Sequence, residues 1–141
     1  KENHLAPYVI LHGRQAGQML DLLFELCDFG IGSLGRHRSG ITNIKTLKNR
    51  EYAARGIPFI YSEIDEDFEN MPYIMKIPAN EEAVDIKQIL NFYNQLHITP
   101  LEIRNSIRHL SWNNQMKKVL DEMQKKDKIN PNNNNIANFA T

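Results

Sequence analysis

The chain has 141 residues, 41% hydrophobic and 24% charged, which suits one globular domain with a buried core and excludes a fibrous or wholly disordered protein. Lysine plus arginine and aspartate plus glutamate number 17 each, so no global field favours nucleic acid or an anionic membrane, and no nucleic-acid partner is expected. A single cysteine, Cys27, excludes an internal disulfide and fits a reducing compartment. No run approaches the ~20 apolar residues that cross a bilayer and no signal peptide opens the sequence, so a cytoplasmic location is expected, with peripheral attachment at the inner face of the membrane open to a larger parent protein.

Residues 8–11, Tyr-Val-Ile-Leu, read as a short strand running into His12 and Gly13. Over residues 15–27, Ala16, Met19, Leu20, Leu23, Phe24 and Cys27 recur at helical spacing, which predicts an amphipathic helix with Cys27 packed inertly on its apolar face. A buried strand is predicted over 28–33, followed by a polar loop that carries Arg36, His37, Arg38 and Lys45. Thr46 is a candidate N-cap for a helix over 47–55, ended by Gly56 and Pro58. Residues 58–61, Pro-Phe-Ile-Tyr, form the next strand, and an acidic connector, EIDEDFENMP, leads to a weaker one at 73–77.

Ala83, Ile86, Ile89, Leu90 and Tyr93 mark a further amphipathic helix. Thr99, Pro100 and Glu102 form a capping box with proline at the first helical position, so another helix starts there. Ser111 caps a last helix through Trp112, Met116, Val119, Leu120 and Met123. From Lys125 the composition turns polar and Asn-rich, and residues 126–141 read as a disordered tail beside a domain over 1–125. Alternating strands and helices predict an α/β fold with a parallel, Rossmann-like sheet and helices on both faces.

Ligands of such sheets sit in loops beyond the carboxyl ends of the strands, which is where the basic loop falls. A guanidinium from Arg36 or Arg38 clasps two diphosphate oxygens at once, and the helix that Thr46 caps offers free N–H groups beside Lys48 in its first turn. The plain reading of the same charges is a solvated surface loop, and Glu51 could simply pair with Arg55 one turn on. Gly30, Gly32 and Gly35 match G-x-G-x-x-G, but no helix opens within them and no strand ends in an acid about 20 residues later, so a dinucleotide site is not supported. No P-loop motif occurs, and the histidines show no metal-ligand spacing; His12, at the end of its strand, could line a site.

The stretch LKNREYAARGIPFIYS resembles the C-terminal, nucleotide-sugar-binding domain of retaining GT-B glycosyltransferases, family-4 members among them. The strand and glycine of residues 9–13, the strand CDFGIGS, and Leu110-Ser111-Trp112 resemble further pieces of that domain in the same order. The resemblance implies that Gly13 and Arg14 lie near the base, Arg36, Arg38, Thr46 and Lys48 near the diphosphate, and Glu51 at the ribose hydroxyls. It implies no cofactor and no bound metal, the nucleotide-diphosphate sugar being a co-substrate. Of the Glu-x7-Glu pair common in that family, Glu51 fits the second acid, and Asn43 stands where the first would fall. A complete GT-B enzyme also has an N-terminal acceptor domain and two further strand-helix units, so the chain is expected to be part of a larger enzyme that glycosylates a glycan or lipid-linked acceptor, inactive alone and open to self-association through a bare sheet edge. No catalytic residue is assigned. The alternative is a small α/β nucleotide-binding or protein-interaction domain without catalysis.

Overall fold

A computed structural model describes residues 7–129, the side chains of 127–129 excepted. Three strands, β1 (Gly30–Ile31), β2 (Phe59–Tyr61) and β3 (Ile74–Lys76), form one parallel sheet in that spatial order. Gly30 pairs with Phe59 and Ile31 with Ile60; on the other side Phe59, Ile60 and Tyr61 stand opposite Ile74, Met75 and Lys76. Five α-helices accompany the sheet: α1 (Gly17–Glu25), α2 (Leu47–Arg55), α3 (Ile86–Asn94), α4 (Pro100–Ser106) and α5 (Trp112–Ile129). The chain is an α/β protein on a small parallel sheet, as the alternating pattern predicts.

Because β2 is central, both of its faces are covered, and its three residues are all buried. One face meets α2 and α4 through a mainly aromatic core of Phe59, Tyr61, Phe68 and Tyr73, joined by Ala53 and Ile103. Phe59 stands 5.6 Å from Phe68 and 5.6 Å from Tyr52, ring centre to ring centre, within the range where edge and tilted contacts add to apolar burial. Phe29, just before β1, meets Phe92 and Tyr93 of α3 in edge-to-face contacts.

Local signals fix the helix ends. Thr46 accepts from the Asn49 amide at 3.2 Å and starts α2; Gly56, at φ 77°, ends it. Asp85 accepts from the Lys87 and Gln88 amides to start α3. The Thr99–Glu102 capping box is complete in both directions, with Thr99 N–H donating to Glu102 at 2.7 Å. Ser111 caps α5 through the Asn114 amide at 3.4 Å. Gly30 allows close helix packing, since a Cβ there would lie 2.8 Å from the Tyr52 ring.

Several expectations give way. Residues 8–11 form no strand: Ile10 is 74% and Leu11 91% exposed, and no described strand lies beside β1 on its outer edge. An apolar β-prone run becomes a strand only where a partner satisfies its backbone, and here it neither joins β1 nor pairs elsewhere among the described residues. The first helix is shorter than 15–27, and Cys27 lies past its end, exposed, with its thiol donating to the Leu23 carbonyl at 3.2 Å. Only two residues of 28–33 pair as strand, because the sheet register ends where Ser62 turns toward Ser33. Finally, α5 runs past Lys125 to Ile129, continuing a helix of lysine, glutamate and glutamine, which are good helix formers, into the stretch read as tail; residues 130–141 lie outside the described part.

Candidate functional site at the carboxyl ends of the strands

The loop from Gly32 to Thr46 leaves β1 at its carboxyl end and is tied across to the segment that leaves β2. The Ser62 amide donates to the Ser33 carbonyl at 3.0 Å, Ile64 donates to Thr42 at 2.8 Å, and Ile44 donates to Ile64 at 2.9 Å. Arg36–Ser39 form a single 3-10 turn closed by Gly40 at φ 68°, which carries the arginines over the strand ends. The basic loop is therefore an ordered strap, held across the strand ends by backbone bonds.

The acidic connector supplies the other half of the frame, a role that a reading of it as a mere linker misses. Asp65 is fully buried, where it accepts from Asn49 Nδ2 at 3.0 Å and from the Asp67 amide at 3.3 Å. Asp67 binds Arg50 and Lys45 from the loop and α2; burial pushes its carboxyl upward, but those two cations outweigh it and hold it below the ordinary range. Glu69 accepts from Tyr61 Oη at 2.9 Å and from Lys76 at 2.9 Å, and desolvation again loses to the hydrogen bonds, so its carboxyl is also lowered. Burial first and Glu69 second push the Tyr61 phenol up, so it stays a neutral donor. Glu63 is 3% exposed, and Lys76 donates to its carbonyl, not to its carboxylate. Sequence alternation does not reveal this network, because Ile64 is exposed while Glu63 and Asp65 on either side of it are buried; only Phe68 marks the segment as partly interior.

Arg36 and Lys48 are exposed and take no ion pair among the described residues. Arg38 is engaged: its Nε donates to Glu81 Oε1 at 2.7 Å and its terminal nitrogen to Glu81 Oε2, while His37 Nε2 lies 2.8 Å from Glu81 Oε1. Glu81 follows β3, so this clasp reaches from the β1 loop across the end of β2. The Arg38 hydrogen bonds, then that of His37, hold the Glu81 carboxyl at about 2 against an ordinary 4.5. In a pH titration followed by its carboxyl carbon shift, Glu81 is expected to titrate near pH 2. The folded value lies below the unfolded one, so the contribution of the clasp is fully present above about 4.5 and is lost as pH falls toward 2. A midpoint at the ordinary value would show that the clasp does not persist in solution.

Glu51 pairs with Arg55, whose Nε donates to Glu51 Oε1 at 2.6 Å, the plain i to i+4 pairing; Arg55 also binds Asp21 of α1 and stacks 4.2 Å over the Phe24 ring. Gly13 and Arg14 lie in the exposed stretch before α1, and no hydrogen bond or ion pair joins them to the loop. Thr46 spends its hydroxyl on the cap of α2. The structure thus gathers Arg36, Arg38, Thr46 and Lys48 at one end of the sheet, sets Glu51 on the α1 side of α2, and leaves Gly13 and Arg14 apart.

A hollow of about 470 Å³ lies at the opposite end of the sheet, where Cys27, Asp28, Ile57 and Pro58 precede β1 and β2 and Tyr93 and Ile98 help to line it. Beyond the carboxyl ends there is a shallow depression of about 250 Å³ between Asn43, Ile44, Lys45, Ile64 and Glu66. No group of three or more potential ligating side chains that could hold a metal ion occurs among the described residues. No helix among them is long and apolar enough to cross a membrane. In comparisons with family models, curated proteins and solved structures, nothing matches the chain.

Proposed function

We propose that the chain binds the nucleoside-diphosphate part of a sugar nucleotide and is the donor-binding part of a glycosyltransferase. The observation that carries this reading is the ordered basic strap at the carboxyl ends of a parallel sheet, feeding a capped helix that carries Lys48 in its first turn, with Arg36 and Lys48 both exposed and without an ion pair among the described residues. Arg36, Arg38 and Lys48 contact the diphosphate and Glu51 the ribose once it turns from Arg55, whereas Gly13 and Arg14, which lie apart from the strap, take no part in this reading. Fixed donors of this kind stabilise the charge that builds on a departing diphosphate, which is how such a site would assist glycosyl transfer. The residues that orient the acceptor lie outside those described.

The rival reading, a protein-interaction domain, draws on α5, where Trp112, Met116, Val119, Leu120 and Met123 stay exposed at helical spacing. A titration of the folded, isotope-labelled chain with uridine and guanosine diphosphates separates the two. Nucleotide binding is expected to shift the amide signals of Arg36, His37, Arg38, Leu47, Lys48 and Glu51. If neither nucleotide moves these signals at saturating concentration while the spectrum remains that of a folded protein, the donor-site reading is wrong.

A further inference from the structure

Arg36 and Arg38 of the strap and Lys48 of α2 are the three cations of the proposed site, yet they are not equally available. Arg36 and Lys48 are exposed and take no ion pair among the described residues, whereas the Nε edge of Arg38, its side-on fork for a bidentate clasp, is already filled by the two oxygens of one carboxylate. That carboxylate, Glu81, comes from the loop after β3 and is met from a second direction by His37. Two oxygens held by a guanidinium fork, with a third donor alongside, is the contact set that a phosphoryl group would take from the same residues.

We infer that Glu81 is an internal competitor for the anion site: it occupies the Arg38 fork in the absence of ligand, and a diphosphate engages Arg38 by displacing it. This rests on the donor-site reading for the identity of the ligand, though not for the competition itself. Two features make displacement feasible. The clasp is exposed, with side-chain exposures of 69% for Arg38 and 62% for Glu81, so water can solvate each partner as the clasp opens. Glu81 is also anchored by little else, since the Asn80 side chain accepts from Glu82 and no other described residue bonds the Glu81 side chain. Arg38, by contrast, stays on the strap when Glu81 leaves, because the turn is held by its own backbone bonds, Arg38 N–H to Gly35 at 3.3 Å and Gly40 N–H to His37 at 3.0 Å.

Competition of this kind also sets selectivity. A ligand with one weakly basic anion gains little by replacing a carboxylate, while a diphosphate brings more charge. Charge therefore favours diphosphate over monophosphate at this fork.

The test is a binding titration of the 141-residue chain with inorganic pyrophosphate and with uridine diphosphate, on the wild type, Glu81→Ala, Arg38→Gln and the double variant. Glu81 and Arg38 are exposed, so all four are expected to fold, and the amide spectrum checks this. Glu81→Ala is expected to tighten pyrophosphate by about fivefold, the order of effect of freeing one surface pair. In the Arg38→Gln background the same substitution should change affinity less than twofold, because the fork it frees is gone. Unchanged or weaker pyrophosphate binding in folded Glu81→Ala overturns the inference, as does an equal gain in both backgrounds, which would mean only a lowered field. If pyrophosphate behaves as expected but uridine diphosphate binds none of the four proteins, the competition stands and the sugar-nucleotide reading falls. If uridine diphosphate shifts Leu47, Lys48 and Glu51 but Glu81→Ala gains nothing, the reading stands and the competition falls. Absence of binding by both ligands to every variant overturns both.

Discussion

Gly56→Ala is expected to destabilise the chain by about 3 kcal/mol, with the thermal midpoint falling by roughly 10 °C. Two effects act together at this position. Gly56 closes α2 in the left-handed region at φ 77°, where a side chain costs on the order of 1–2 kcal/mol. A Cβ there would also lie 2.6 Å from the Pro100 carbonyl oxygen and 2.8 Å from its Cα, so the start of α4 would have to retreat from the end of α2. Neither atom is the loose end of a side chain, and α4 is pinned at this point by its complete capping box. Gly40→Ala provides the control, since φ is 68° there but nothing lies within 4 Å of the added methyl. It should cost only about 1 kcal/mol, the backbone part alone. Equal losses at the two positions would mean that the α2–α4 contact is slack.

That contact also shows which parts of this fold are legible in sequence. Gly56 and Pro58 mark the end of a helix and the start of a strand, and Thr99, Pro100 and Glu102 mark another helix start; each signal acts through bonds within a few residues, so each survives whatever the rest of the chain does. β2 is legible because residues 58–61 are apolar without interruption, as a central strand must be. Residues 8–11 carry the same kind of pattern and form no strand, because strand formation depends on a neighbouring edge that local sequence cannot supply. Cys27 fails for a similar reason: helical spacing places it on the apolar face, but α1 stops at Glu25 and the face ends with it. At the site, the basic loop and the cap at Thr46 are legible, while the pairing of Arg38 with Glu81 is not, since 43 residues separate them and only the sheet order brings them together.

Asp65 is the strongest case of long-range determination, and Asp65→Ala is expected to cost about 3 kcal/mol. The acid is fully buried at the carboxyl end of β2 and receives Asn49 Nδ2 at 3.0 Å and the Asp67 amide at 3.3 Å. Asn49 is itself 1% exposed and its Oδ1 already lacks a partner, so removing Asp65 leaves the whole Asn49 amide buried and unbonded. An orphaned buried polar group costs about 1–3 kcal/mol, and the space vacated by the carboxylate adds to it. The logic makes a stricter demand on the double variant. Once Asn49 is also replaced by alanine, the orphan disappears, so the two substitutions together should cost at least 1 kcal/mol less than the sum of the separate losses. Denaturant midpoints of the four proteins measure this, and strict additivity would show that Asn49 and Asp65 are not coupled. The consequence reaches the proposed site, because Asn49 lies in the first turn of α2 next to Lys48. With its anchor to Asp65 gone, the start of that helix opens more often, and the Asn49 and Arg50 amides should exchange with solvent faster than those at the Gly56 end, even under conditions where the chain as a whole remains folded.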